Sequence, residues 1–519
     1  MSKLTVRLRR ATPILVALAA CSPSRRPVAP QPAASTRLAV AETELRAGCL
    51  DCLESAYRQY DAMRQSADTR EVATAGAVRA ATLIAIRHRE LGMMDEGYLA
   101  TARTLAAGAA ALPPWLPTLI DIADALPASR GGIARPPASD VDLERMRIVR
   151  QNRDAWGDLL RGAARSDVGA AYTWLALACD STDTRSTSTT EIFEAASTFA
   201  GAPLVVYREA LCRTVEAKTL ESLLAADGRF VEVTFALGLQ ALAARPPQLD
   251  AADRWLRQAY DWRPKWPALT LAMAGVAMTG EEFDRAHRLY GETLALEPHS
   301  ADALLGDVRA LTYLGARDEA IATADRLIAE RWSVGDARYW RAYNELQLAR
   351  LDEAWSDVEQ AEKTLVNAEV PKLAGIIAYR RQQLDTSIAR FATSQARNPF
   401  DCETRFYLGV VHAELRHWPD TAATLTSAAA CLEAAEEGLQ QEIARIAAST
   451  LPADRQARQI ARRQQQIADG RRMRATSWFD SAVAYFSLSN HDEARACAEK
   501  VVDDEQFGAR AKELLARLR

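Results

Sequence analysis

The segment GCLDC, residues 48–52, places two thiols three residues apart. On one turn of helix, residues i and i+3 are neighbours, so Cys49 and Cys52 have the spacing of a dithiol–disulfide pair. Redox catalysis at such a pair is normally housed in a strand–helix–strand unit, and no such alternation surrounds these two. They are expected as a structural disulfide or as idle thiols. The chain has eight cysteines. Cys402 opens one helix and Cys431 is expected to close the next, ends that are neighbours in an antiparallel hairpin and within reach of a bond. Cys179 with Cys212 is a weaker pairing, and Cys497 is left over. The six histidines, His88, His287, His299, His412, His417 and His491, are scattered. His412 and His417 are five apart, a spacing that does not put two ligands on one face of a single helix, so no metal site is expected. No HExxH, GxSxG or phosphate-cradling glycine loop occurs. The many acidic residues read as solvated helix starts and outer faces. The chain is expected to be no enzyme and to carry no cofactor.

The elements around these residues are helical. Of 519 residues 49% are hydrophobic and 25% charged, as in an ordinary globular chain. Alanine and arginine are abundant and β-branched runs scarce, which favours helix over strand. The net charge is −4, and an acidic chain has no broad electrostatic pull on nucleic acid.

The N-terminus reads as an address. MSKLTVRLRR is basic, Ala11 to Ala20 is apolar and too short to span a bilayer, and small residues follow. Leu18, Ala19, Ala20 and Cys21 resemble the lipobox of bacterial lipoproteins. That resemblance implies a signal peptide over 1–20, acylation of Cys21, and, with Ser22 next, an outer-membrane location. Pro23, Pro27, Pro30 and Pro32 then favour an extended tether over residues 21–42. No later apolar run is long enough to cross a membrane.

Ala252, Ala286, Ala320 and Ala354 recur at intervals of 34 residues, inside LDAAD, FDRAH, RDEAI and LDEAW. A large residue often follows four positions on (Leu256, Tyr290), and Pro264 and Pro298 close the first two units. This pattern resembles the tetratricopeptide repeat. Alanine on the second helix lets the first approach closely, where a larger side chain would overpack by roughly 1–3 kcal/mol. Further matches involve Gly375, Phe391 and Pro399, then Leu408, Gly409 and Trp418, then Trp478, Tyr485 and Ala494. The fold class implied is all-α, an α-α superhelix of antiparallel helix hairpins. Its expected parts are N-terminal repeat-like helices at 43–125, an irregular helical region at 141–228 with a polar loop at 180–191, and the main array at 229–433. A long basic helical segment follows at 434–474, then a last repeat with a capping helix at 475–519. The basic segment's stretch RQARQIARRQQQIADGRRMR, residues 455–474, holds seven arginines, Arg455, Arg458, Arg462, Arg463, Arg471, Arg472 and Arg474. They are expected as a solvated face or as partners of the preceding acidic stretch EAAEEGLQQE, rather than as a site for an acidic partner or phospholipid.

In tetratricopeptide proteins the first helix of each repeat lines a concave groove that contacts peptides or protein segments. Carried onto this chain, the resemblance places Asp302, Arg309, Tyr313, Asp336, Tyr339, Tyr343, Gln347, Tyr379 and Arg380 at groove positions. The lysines and asparagines of the carboxylate-clamp variety are not found there. The function implied is a non-catalytic, lipid-anchored scaffold that binds protein partners in the bacterial cell envelope, facing the periplasm. The alternative is a glycan-binding outer-membrane lipoprotein, which would need exposed aromatic platforms. An enzyme hidden in 141–228 would need a buried acid or histidine pair in a cleft.

Overall fold

The computed structural model describes residues 33–93, 96–126, 140–179, 194, 197, 199, 201–212, 217–449 and 451–518. The signal peptide, Cys21 and most of the expected tether lie outside the described residues. Every described element is a helix. The first is α1 (Ala34–Ala47), so the extended segment expected to reach residue 42 gives way to helix once the prolines end. There follow α2 (Leu50–Met63), α3 (Arg70–Leu91), α4 (Tyr98–Ala107), α5 (Trp115–Ala125), α6 (Asp140–Ala163), α7 (Val168–Cys179), α8 (Pro203–Cys212) and α9 (Ala217–Ala226). The helices of 141–228 do not stand apart as a separate region. α8 packs against α1, and Gly48 at the end of α1 lies so close to Leu204 that a Cβ there would meet it at 2.5 Å.

The array is built of pairs: α10 (Val233–Ala243) with α11 (Leu249–Trp262), α12 (Pro267–Thr279) with α13 (Phe283–Leu296), and α14 (Ala301–Leu314) with α15 (Arg317–Ala329). Then come α16 (Val334–Gln347) with α17 (Leu351–Ala361), and α18 (Glu369–Arg380) with α19 (Leu384–Arg397). The four period-setting alanines sit in α11, α13, α15 and α17, each fully buried. Close approach is equally strict at Gly375, where a Cβ would meet the Phe391 ring at 2.6 Å. First helices of successive pairs touch one another (α12 with α14, α14 with α16, α16 with α18), whereas second helices share at most marginal contact. That asymmetry curves the stack and makes the first helices its inner wall. The turns inside the last four of these pairs share a left-handed residue, Glu281, Gly315, Ala349 and Gln382, at φ of 59°, 79°, 58° and 60°.

The array does not end where the sequence suggested. After α20 (Cys402–Glu414), helix α21 runs from Trp418 to Ala447, and α22 from Ala453 to Ser487. The basic segment at 434–474 is therefore not one helix of its own. It is the distal half of a long antiparallel hairpin whose helices end at Ala447 and restart at Ala453. No proline or other breaker follows Cys431, so α21 continues through it, and Cys431 lies inside the helix instead of at its end. Its sulfur is nonetheless joined to that of Cys402, with Cα atoms 5.5 Å apart, because α20 and α21 pack side by side. Helices α23 (His491–Glu499) and α24 (Gly508–Arg517) finish the described fold, with Cys497 a buried free thiol. Among the described residues no helix is long and apolar enough to cross a membrane.

Candidate functional site

Arg309, Tyr313, Tyr339 and Tyr343 come together on the inner wall, around a residue the sequence reading missed. Trp340 of α16 stands at their centre. Tyr339 and Tyr343 meet its ring edge-on at centroid distances of 5.3 and 6.1 Å, and Tyr313 does so at 6.2 Å. The Arg309 guanidinium lies 5.8 Å above the same ring. Such aromatic contacts each contribute about 0.5–1.5 kcal/mol beyond burial. Tyr313 is 43% exposed, and Arg309 one turn before it on α14 and Gln347 at the end of α16 are exposed. Tyr339 and Tyr343 are half-buried against the apolar core of α16–α18, so part of their role is packing between hairpins. Burial pushes the Tyr339 phenol up to about 12. Asp302 and Asp336 open α14 and α16 and are half-buried. Tyr379 donates to Glu414 of the next pair, and Arg380 is exposed at the end of α18. The adjacent aromatics Tyr339 and Trp340 were a readable signal, because neighbours about 100° apart on a helix meet different surroundings: Tyr339 packs on the core of α16–α18 and Trp340 on that of α14–α16.

The second missed contributor comes from far along the chain. Phe283, at the start of α13, stacks on Tyr313 at 4.6 Å, and the Arg462 guanidinium of α22 covers both rings at 5.1 and 4.9 Å. The α21–α22 hairpin thus reaches back to the first pairs of the array. Arg455, almost fully buried, binds Asp250 at 2.6 Å and Glu282 at 2.8 Å. Arg463 binds Glu281 at 2.6 Å and Glu442 at 3.0 Å. Arg458 also reaches Glu282, at 3.5 Å. Nearer the root of the hairpin, Arg471 and Arg474 hold Glu436 of the acidic stretch, at 2.5 and 2.8 Å, and Arg472 pairs with Asp469. All seven arginines have partners within the chain. A cleft of about 640 Å³ remains where the hairpin tip meets α11, lined by Asp253, Arg257, Asp261, Arg285 and Asp454 among others.

The acid pair that would mark a hidden enzyme has a counterpart of another kind. Arg87 of α3 is fully buried, lies 4.1 Å over the Tyr207 ring, and binds Glu90 and, at 3.0 Å, Glu232. Glu90 accepts further bonds from Arg208 at 2.8 Å and the Tyr172 hydroxyl at 2.7 Å, and Glu232 accepts the Leu50 N–H at 2.8 Å. Burial alone would raise the Glu90 carboxyl, but Arg87 and Arg208 hold it below the usual range. Burial does push Glu232 up. These groups are sealed between helices, with Glu90 and Arg208 the most exposed at 6% and 5%. Closed over by the described helices, they act as a structural knot. Contrary to the sequence expectation, then, some of the acids are core residues. Cys49 and Cys52 lie beside this knot, fully buried and joined as a disulfide, with Cys49 capping α2. Asp227 is near both sulfurs, but a disulfide offers no thiolate to a metal.

His412 and His417 also depart from expectation. Helix α20 ends at Glu414, and left-handed Arg416 (φ 56°) folds the chain so that their rings lie 5.8 Å apart. The sequence argument assumed one continuous helix.

No family model matches the sequence, and no characterised protein matches it as a relative. Solved structures resemble the chain weakly. A tetratricopeptide repeat protein of Parabacteroides merdae has 15% identity over 58% of this chain and 99% of its own, with a TM-score of 0.32. The Cut9–Hcn1 assembly of the APC/C gives 13%, 94%, 96% and 0.39, and yeast Tom70 gives 13%, 79%, 97% and 0.33. The assignment of an all-α tetratricopeptide-type solenoid rests on the repeat geometry of the chain itself.

Proposed function

We propose that this solenoid is a non-catalytic scaffold, held at a bacterial envelope membrane through lipid on Cys21, that binds a protein segment along its inner wall. The observation that carries the binding half is the open cluster of Arg309, Tyr313, Tyr339 and Tyr343 around Trp340. Aromatic and arginine side chains held rigid at a partly exposed surface are the chemistry of binding hot spots. The anchoring half rests on the basic start, the short apolar run and the Leu18–Cys21 lipobox of the sequence. Location at the outer membrane, facing the periplasm, extends that sequence reading. The glycan-binding alternative finds no support, because all eleven tryptophans are buried or half-buried and offer a sugar ring no fully open indole face.

Photo-crosslinkers placed in the native host at Arg309 and at Gln347 should capture the same discrete envelope protein. One at Glu359, exposed on second helix α17, should not. Equal capture at all three positions, or none, would sink the binding half. Cys21→Ser should abolish lipid labelling and release the chain from the membrane fraction. Retention there would sink the anchoring half.

A further inference from the structure

We propose that His412, His417 and Asp420 form a binding site for a divalent transition-metal ion at the turn between α20 and α21. The inference is independent of the scaffold reading. His412 lies in the last turn of α20, His417 caps α21, and Asp420 is in the first turn of α21. The His417 N–H donates to the His412 carbonyl at 2.9 Å, which locks the turn. One nitrogen or oxygen from each side chain lies within 4.8 Å of the other two. Ligands held about 2.0–2.2 Å from a tetrahedral zinc sit roughly 3.3 Å apart, and rotation of the exposed His417 and Asp420 side chains closes that difference.

The donor set selects the ion. Two imidazoles and one carboxylate suit zinc, copper or nickel, whereas calcium and magnesium take oxygen ligands almost exclusively. Asp420 also supplies negative charge against the positive end of the α21 dipole. A second observation points to a ligand. The His412 Nδ1 is shut off from solvent and has no hydrogen-bond partner among the described residues. A buried imidazole nitrogen left unpaired is unfavourable, and a coordinated ion or a rotated ring that coordinates one removes that cost. Three protein ligands leave a fourth position for water or for a side chain of a bound partner. The ion would pin the end of α20 to the start of α21, at the root of the long hairpin.

The test titrates the full chain, stripped of metal and with its disulfides intact, with zinc in a calorimeter, and with cobalt(II) followed by its visible absorption. One equivalent of zinc is expected. His417→Ala should weaken binding at least about tenfold and remove the cobalt spectrum, and Asp420→Asn should weaken binding about three- to tenfold. Both side chains are exposed, so the variants keep the fold. No saturable binding by the wild-type chain, or binding that both variants retain unchanged, overturns the site.

Discussion

The N-terminal helices and the middle of the array deploy the same residue types in opposite ways. In the knot of α3, α7 and α8, arginine, glutamate and tyrosine are sealed from water, and each charge is held by at least one opposite charge or hydroxyl. On the inner wall of α14 and α16, arginine and tyrosine gather around Trp340 with one side left to solvent. The wrapping of the helices makes the difference. α1 and α8 close over α3, while the first helices of the array stack in a row that leaves Tyr313 43% exposed even with Arg462 laid over its ring. A sealed cluster of charges specifies packing, and an open cluster of rings is available to a partner.

The sharpest break of this comparison is Arg87→Ala. It leaves Glu90 with Arg208 alone and Glu232 without a cation, both buried, and removing one partner of a buried ion pair costs about 3–5 kcal/mol. Chemical denaturation should show that loss. An unchanged midpoint would mean that the knot is not tightly sealed. Next comes Ala320→Leu, which should overpack α15 and cost about 1–3 kcal/mol. Tyr313→Ala, on the open side, gives up its contacts with Phe283, Trp340 and Arg462 and should cost about 1 kcal/mol in folding while losing the crosslinked partner. If the two stability effects were reversed, the inner and outer assignments would be exchanged. Tyr343 is a poorer probe, because its half-buried ring packs on the core and truncation would mix folding with binding.

A smaller effect tests a buried acid within the array itself. Burial, with Asp357 next in importance, pushes the Glu345 carboxyl from 4.5 up to about 7. The folded chain therefore holds this proton more tightly than the unfolded one. That stabilising contribution is complete below pH 4.5 and is lost as pH rises towards 7. Glu345→Gln should flatten the decline across that window and leave the variant about 1–2 kcal/mol more stable at pH 8. A variant with the wild-type pH profile would place the titration elsewhere. The smallest change expected is Ala349→Gly, which relieves a left-handed alanine and should raise stability by no more than about 1 kcal/mol. A thermal shift in the other direction would mean that the entropy of glycine outweighs the strain.

The array was legible because a close helix contact admits only a small side chain. That requirement recurs with every unit, so Ala252, Ala286, Ala320 and Ala354 print the period into the chain. The turns carry the same period in their backbone, yet three of the four use Glu281, Ala349 and Gln382 instead of glycine, and the sequence hides them. Tyr313, Tyr339, Tyr343 and Arg309 were placed by register alone. Trp340 and Phe283 were missed because register assigns a face and says nothing about which faces meet. The length of α21 was hidden by the absence of a breaker after Cys431, where the repeat led one to expect an end.

By itself the sequence determined that the chain is helical and that its helices pair every 34 residues, because these follow from local packing rules repeated many times. Only the tertiary structure decided that Arg455 and Arg463 reach residues about 180 to 200 positions earlier, that Arg87 meets Glu232, and that His412 faces His417. Those contacts depend on how the superhelix curves and where a turn falls, and no periodic pattern along the chain encodes a meeting that happens once.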